Sequence, residues 1–434
     1  MIGEAAREQR RFDPHPSSVA EARRLVRGAL VGTDPHDWLE RAQLCVSELV
    51  TNAVVHAGTP VDVLVLQHAT GLRIEVVDRS PHLPIPRHYA NLAGTGRGLM
   101  MVDQSCDRWG VLTNDDGKTV WFELGAAADV GVDPERSSTG VTVRETVSVV
   151  LLNMPLLLHS AWRMHAESLL REYLLARLDE DAGDLLGAHA AASAAISVLQ
   201  EQIPVPDVGE NPDGIMAAAV EPFVSMERLE IRVPSSSLPS FETLDLLLES
   251  ATTLADAGHL MTPGTQPEIR AFRRWLCAEV RRQPGGVHPT AWDPDAAQAT
   301  VALDDLLPWD GESVTEAGHG VVAADDLNRI IAVSRPALAM MRYEEPGDLI
   351  GKRLVDIVPF RFRQAHVAGF TMHLFAGRAA LIGVPVEVPV LCADGAERLV
   401  ELTVRSHPLP RGRHVFVADL LEPAAQTARS RPSQ

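Results

Sequence analysis

The run SELVTNAVVHA (47–57) carries the side chains whose types and spacing best suit chemistry. Glu48 and Asn52 lie four residues apart, so they share one face of a helix, and His56 extends the row. A carboxylate can orient or deprotonate a nucleophile, and an amide oxygen can ligate Mg²⁺ that water and phosphates otherwise hold. The spacing alone leaves a second interpretation open, in which these residues form an ordinary exposed polar face.

Two further stretches have residue types that suit a nucleotide. Asp78 ends the apolar run LRIEVVD (72–78), where its carboxylate could accept a hydrogen bond from an amino group such as that of adenine. A turn-initiating aspartate is the alternative. The run GTGRGL (94–99) alternates glycines ahead of a helical pattern, so backbone N–H groups could approach phosphates, with positive charge from Arg97. Such a loop is as often a flexible turn.

Apolar periodicity predicts the elements that position these residues. Helices are predicted at 19–30 and 37–57, and strands at 62–68, 72–78, 108–113 and 118–124. This order predicts an N-terminal two-layer α/β sandwich with a mainly antiparallel sheet. A mostly helical middle region with short strands follows at 141–300, and its function is unassigned. An α+β region is predicted at 313–421 and a disordered tail at 422–434.

Composition and charge narrow the function classes. The formal net charge of −19 argues against nucleic acid as a partner. Residues 126–311 hold 28 acidic and 12 basic residues, so they are a candidate surface for a basic protein, although a solvated acidic face is the simpler interpretation. Four scattered cysteines without a CxxC pair fit a reducing cytosol. Neither a membrane span nor a signal peptide is recognisable, so a cytoplasmic protein is expected.

Together and in this order, the three motifs resemble the GHKL (Bergerat-fold) ATP-binding domain of the anti-sigma-factor serine/threonine kinase type, over residues 12–125. ELVTNAVVHA resembles the N box of that family, VVDRSP its first glycine box, and GTGRGLMMVDQSCDRWGV its second. The resemblance implies ATP and Mg²⁺ as cofactors. It also implies a role for each matching residue: Glu48 as general base, Asn52 as magnesium ligand, Asp78 as the acid that reads adenine, Gly94, Gly96 and Gly98 as the phosphate lid, and Thr119 near adenine.

The first glycine box departs from the family pattern D-x-G-x-G, because Asp78 is followed by Arg-Ser-Pro-His without glycine. No stretch that resembles a histidine phosphoacceptor helix directly precedes the domain. Transfer to a serine or threonine of a partner protein therefore fits better than autophosphorylation of histidine. The partners that the resemblance implies are an anti-sigma-factor antagonist and a sigma factor.

The C-terminal region resembles a PAS domain over residues 313–421, in GVVAADDLNRIIAVSRPALAMMRY, DLIGKRLVDIVP and ADGAERLVELTV. PAS domains are sensory or dimerising modules, and both resemblances are compatible with a homodimer. His366 lies where haem-binding relatives place an axial ligand, but a packed histidine is favoured. Four tryptophans are expected to be core or packing residues and not a ligand cage: Trp162, Trp275, Trp292 and Trp309. His159 and His165 are six residues apart and do not share a helix face, so a metal pair is not expected.

Two functions remain open from the sequence. The first is an ATP-dependent protein serine/threonine kinase of the anti-sigma-factor type, coupled to a PAS sensor, and it is favoured by the Glu48–Asn52 pair. The second is a non-catalytic nucleotide-binding or protein-binding regulator that acts by sequestering a partner, and it is favoured by the missing glycines after Asp78.

Overall fold

A computed structural model describes residues 6–30, 38–54, 59–68, 71–79, 97–114, 117–125, 145–177, 182–206, 218–294, 307–376, 382–410 and 413–423. The chain divides into two compact units. The first comprises Met1–Ser148, Tyr173–Gln202 and Arg232–Leu247, and the second Val149–Glu172, Ile203–Ile231 and Leu248–Gln434. Within the described ranges, the helices all fall short of the length or the hydrophobicity that a membrane crossing needs.

An antiparallel five-stranded sheet and three helices form the body of the first unit. The strands are β1 (Ala6–Phe12), β2 (Val61–His68), β3 (Gly71–Asp78), β4 (Arg108–Asn114) and β5 (Gly117–Gly125), in the order β1-β2-β3-β5-β4. The helices are α1 (Ser17–Leu30), α2 (Trp38–Asn52) and α3 (Arg97–Ser105). The predicted mixed α/β class with antiparallel sheets is confirmed. The sequence analysis did not predict β1. This strand pairs with β2 from Ala6–Gln67 to Phe12–Val61.

Alternation along the strands decides which side chains reach the core of this unit. Every second residue of β3 and β5 faces the helices, and all of these positions except Asp78 and Lys118 are apolar. The apolar ones are buried: Leu72, Ile74, Val76, Val120, Phe122 and Leu124. The helices meet them with apolar residues at helical spacing, among them Ala42, Val46 and Leu49 of α2. Leu174 and Leu186 from further along the chain complete the same cluster.

The middle region pairs two strands, and four helices lie within its described residues. β6 (Thr146–Pro155) and β7 (Ser225–Pro234) are ten residues each. They are antiparallel, because Leu156 donates to the Val224 carbonyl and Ser235 to the Glu145 carbonyl, each at 2.9 Å. The helices are α4 (Leu156–Arg177), α5 (Ala182–Gln202), α6 (Leu238–Asp256) and α7 (Pro267–Arg282). Sequence periodicity missed α5, since its alanine-rich sequence has no single apolar stripe.

The C-terminal region is a second antiparallel sheet with flanking helices. Its strands are β8 (Gly320–Asp325), β9 (Ile330–Val333), β10 (Val386–Leu391), β11 (Glu397–Pro408) and β12 (His414–Leu421), in the order β10-β11-β12-β8-β9. The helices are α8 (Glu312–Thr315), α9 (Arg335–Met341) and α10 (Phe360–Ala376). His366 of α10 shares a 3.0 Å hydrogen bond with the Asn328 amide oxygen, so the structure gives it the role of a packed histidine.

Aromatic rings fill the centre of the second unit. His159 and Trp162 of α4 pack against Phe272 of α7, with ring centroids 6.3 Å and 5.9 Å from it, and Trp275 and Trp292 extend the cluster. The tryptophans are therefore packing residues, as the sequence predicted. Both ring nitrogens of His159 are buried without a hydrogen-bond partner among the described residues.

Gln364 of α10 ties the C-terminal region to the first turn of α4. Its amide oxygen accepts the Leu157 N–H at 2.8 Å, and its amide nitrogen donates to Glu221 and to Ser225. The Leu157 N–H is one of the four donors that a helix leaves unsatisfied at its N-terminus.

Replacement of Gln364 should therefore loosen the start of α4. We expect Gln364→Ala to cost about 1–3 kcal/mol, because it leaves buried polar groups unpaired. Hydrogen exchange at residues 156–160 should become faster in the full chain. Gln364→Glu keeps the acceptor for Leu157 but brings a second carboxylate to Glu221, so it should also accelerate exchange. Unchanged protection in both variants would contradict this role.

Candidate functional site

Helix α2 places Glu48 and Asn52 on its polar face, as the spacing predicted. Its opposite face is anchored in the core by Ala42, Val46 and Leu49, each at most 3% exposed. Glu48 and Asn52 themselves are half-buried. Burial raises the pKa of the Glu48 carboxyl above its ordinary value. A carboxylate with a raised pKa is a stronger proton acceptor, which suits a general base.

Asp78 is the last residue of β3 and lies on the face of the sheet that the helices cover. It continues the inward row of Leu72, Ile74 and Val76 and is 2% exposed. A buried carboxylate is costly unless it is paired. The Lys118 ammonium supplies that pair, with Nζ 3.5 Å from Oδ2 of Asp78. The polar end of an otherwise apolar face therefore contains an ion pair.

The backbone around Asp78 is held closely. A side chain at Gly117 would collide with the Asp78 carbonyl oxygen, so β5 can approach β3 here only with glycine at this position. The next residue after the carboxylate is also held, since the Arg79 N–H donates to Oγ1 of Thr59 at 3.1 Å. These contacts fix the position from which the Asp78 side chain leaves the sheet.

Thr119 has a different place from the one that the family resemblance implies. In the β3–β5 register, Asp78 pairs with Lys118, and Thr119 pairs with Val77. Because successive side chains alternate between faces, Thr119 points to the face opposite Asp78. That outer face carries the salt bridge of Arg73 with Glu123. The structure therefore brings Lys118 to Asp78, and the contact of Thr119 with adenine stays a prediction.

The glycine loop is covered only in part by the described residues. Gly94 and Gly96 lie outside them, as do His56 and the segment 80–82. Arg97 and Gly98 form the first turn of α3, so the helix begins inside the glycine alternation and includes its last glycine.

Arg41 fastens α3 to α2, and sequence reasoning missed it. Its Nε donates to the Ser105 carbonyl at 2.7 Å, and its guanidinium pairs with Asp107 at 2.8 Å. Asp107 in turn accepts the Gly125 N–H at 2.6 Å, and both contacts lower its pKa. In the same last turn of α3, Asp103 accepts from the Trp109 indole at 2.7 Å. The helix after the loop is thus fixed to α2 and to the sheet. A lone arginine in an amphipathic helix carries no signal of this role.

These residues fit ATP and Mg²⁺ in chemical type. Asn52 offers an amide oxygen to a hard cation, and such a ligand leaves the remaining positions to water and phosphates. Asp78 is a buried carboxylate at the rim of an apolar layer, which suits the amino group of a flat base. Asn52 and Asp78 come from α2 and β3, which pack in one core.

A family comparison agrees with this assignment. Residues 12–124 match the family model described as "Histidine kinase-like ATPase domain". The match spans α1 to β5 and includes Glu48, Asn52, Asp78 and the glycine loop. It supports nucleotide binding by this part of the chain. A comparison with curated proteins gave no match.

Solved structures similar to this chain include PAS domains. The PAS domain of an HTR-like protein from Haloarcula marismortui is 17% identical and covers 25% of this chain and 84% of its own, with a TM-score of 0.20. A domain of a sensory box sensor histidine kinase/response regulator from Geobacter sulfurreducens is 19% identical, covers 25% and 87%, and has a TM-score of 0.19. An RNA-binding Light-Oxygen-Voltage receptor is 13% identical, covers 92% and 83%, and has a TM-score of 0.21. Such low TM-scores add nothing to the topology described above.

Proposed function

We propose that this chain is an ATP-dependent protein serine/threonine kinase of the anti-sigma-factor type, coupled to a C-terminal PAS sensor. The observation that carries the proposal is the joint placement of Glu48, Asn52 and Asp78. A half-buried carboxylate and an amide share one helix face, and a buried carboxylate ends the strand in the same core. The match of residues 12–124 to the histidine kinase-like ATPase domain supports it.

Each residue has a distinct role in the proposed reaction. Asp78 accepts a hydrogen bond from the amino group of adenine. Asn52 ligates Mg²⁺, and that ion supplies positive charge to the phosphates. Glu48 takes the proton of a serine or threonine hydroxyl on the partner. The hydroxyl oxygen attacks the γ-phosphorus of ATP, and ADP leaves. The role of phosphate lid that the resemblance implies for Gly94, Gly96 and Gly98, with positive charge from Arg97, is part of this proposal.

The proposed partner is a protein, either an anti-sigma-factor antagonist or a sigma factor, and nucleic acid and membrane have no part in the reaction. The C-terminal region acts as the PAS sensor, and the protein works in the cytoplasm. A homodimer is compatible with this proposal.

The test is the chemical nature of the transferred phosphate. The full chain is incubated with Mg²⁺, γ-labelled ATP and a candidate antagonist protein. We expect label on the antagonist that survives acid, since phosphoserine and phosphothreonine are acid-stable, and none on the chain itself. Acid-labile label on the chain would contradict the proposal, because it would indicate histidine autophosphorylation.

The second candidate is a non-catalytic regulator that sequesters its partner. The pairing of Asp78 with Lys118 favours it, because the carboxylate is engaged inside the protein. The acidic stretch 126–311 supplies a surface for a basic partner. In this case the chain would bind and inhibit the partner without transferring label to it.

A further inference from the structure

The proposed function assigns no role to Lys118. Only two lysines occur in the chain, Lys118 and Lys352, and the other basic residues are arginines. Lys118 faces inward on β5, directly across from Asp78, at a position where the rest of the row is apolar. It is 8% exposed, so its ammonium is withdrawn from water. A long cationic side chain is expensive there and calls for a physical reason.

The ion pair with Asp78 offsets part of the free-energy cost of burying Lys118. Burial lowers the pKa of Lys118, and the Asp78 carboxylate opposes this effect. The two charges form a donor and an acceptor side by side at the rim of the apolar layer, with 3.5 Å between Nζ and Oδ2. An ammonium has three N–H groups, so it can donate to Asp78 and to a bound molecule at the same time.

This arrangement matches the pairing edge of adenine. Adenine carries an amino donor at position 6 and a ring-nitrogen acceptor at position 1, next to each other. Guanine carries the reverse order, an oxygen acceptor at position 6 and an N–H donor at position 1. We propose that Lys118 is a specificity-determining residue of the nucleotide site, which donates to N1 of adenine while Asp78 accepts from the 6-amino group. The inference rests on the proposed function, since it requires a nucleotide at Asp78.

The consequence is a site that recognises two points of the base. Asp78 alone would accept from any amino group that reached it. Lys118 beside it rejects a base whose neighbouring atom is a donor, because two donors would then face each other. The site should therefore prefer ATP over GTP. It should also bind an adenine nucleotide more weakly when N1 is replaced by a C–H group.

The test compares ATP with two analogues by calorimetric titration into the full chain with Mg²⁺. In 1-deaza-ATP a C–H group replaces N1, and in 7-deaza-ATP a C–H group replaces N7 and leaves the edge intact. We expect 1-deaza-ATP to bind about 10- to 100-fold more weakly than ATP, the range for one hydrogen bond to a charged group. We expect 7-deaza-ATP to bind as ATP does.

The variants assign the effect to Lys118. Lys118→Met should bind ATP and 1-deaza-ATP equally, whereas Lys352→Met, the same substitution at the other lysine, should keep the wild-type ratio. If Lys118→Met does not fold, the wild-type comparison of the analogues still decides. Equal binding of ATP and 1-deaza-ATP by the wild type would overturn this inference and leave the proposed function standing. A folded wild type that binds none of the nucleotides would overturn both.

Discussion

Glu48→Gln is expected to slow phosphoryl transfer to the partner by about 10²- to 10⁴-fold, the usual contribution of a general base. Mg-ATP affinity should be unchanged, because the proposed contacts with the nucleotide and the ion belong to Asp78 and Asn52. Glutamine keeps the shape of the side chain and removes its basicity. The comparison is made by following label on the antagonist at saturating ATP, beside a titration of ATP.

The pH profile adds a second signature of Glu48. Its pKa is raised by burial, and a general base works only when it is deprotonated. Activity should therefore fall as pH drops through that raised pKa, so the acidic limb should lie above that expected for an exposed glutamate. Glu48→Gln should lack this limb in its residual activity.

Glu40→Gln is the matched control for Glu48→Gln. Glu40 lies in the first turn of the same helix and is exposed. We expect its replacement to leave transfer unchanged. Equal loss in both variants, or full activity of Glu48→Gln, would contradict the role of Glu48 as base.

Acid is expected to destabilise the second unit through two buried histidines of α4. Burial lowers the pKa of His159 to about 3 and of His165 to about 4, from 6.5. His159 is 1% exposed and His165 is 3% exposed. Both are neutral in the folded protein at neutral pH. As the pH falls, these histidines are protonated in the unfolded chain before they are protonated in the folded protein.

The direction and size of this change in stability follow from proton linkage. Because the folded pKa values are depressed, the contribution of these histidines to stability is intact above pH 6.5. It is lost as the pH falls from 6.5 toward the folded values of about 4 and about 3. Each histidine costs about 1.4 kcal/mol per pH unit in that window, so the two together remove about 3 kcal/mol per unit.

Urea unfolding followed by tryptophan fluorescence measures this effect, since Trp162, Trp275 and Trp292 lie in the cluster around His159. The midpoint should fall steadily as the pH drops from 6.5 toward about 4. His366 of the same unit, whose pKa burial also lowers to about 4, adds a third contribution of this kind. His159→Phe keeps a ring beside Phe272 and should therefore remove about a third of the pH dependence, by the same linkage. His288→Phe, at an exposed position, should leave it unchanged. A slope in His159→Phe equal to that of the wild type would contradict the assignment.

Periodic apolar patterns predicted the elements of the sheet and of α2 well, because burial of one face is what those patterns encode. The same reasoning failed for β1 and α5. In β1, residues 7–11 are exposed and only Phe12 is buried, so no alternation was visible. In α5, apolar residues surround the helix, so no stripe was visible. Both elements are defined by contacts with distant segments, which local sequence does not contain.

Only part of the site was predicted, again because local sequence does not contain long-range pairing. Glu48 and Asn52 share a helix face by spacing alone, and the structure bears out that they do. Lys118 was missed because the choice between it and Thr119 depends on strand register. A shift of one residue moves every side chain to the other face of a sheet. Only the pairing of Asp78 with Lys118 shows which of the two neighbours faces the helices.

The most direct test of the central assignment is calorimetric titration of Mg-ATP into the full chain and into one variant. The variant is Asp78→Asn with Lys118→Met, because removal of Asp78 alone would leave a buried ammonium without its carboxylate, at a cost of about 3–5 kcal/mol. We expect saturable binding by the wild type and none by the double variant, with both folded by circular dichroism. A folded wild type without saturable binding up to millimolar ATP would contradict the account, as would a double variant that binds like the wild type.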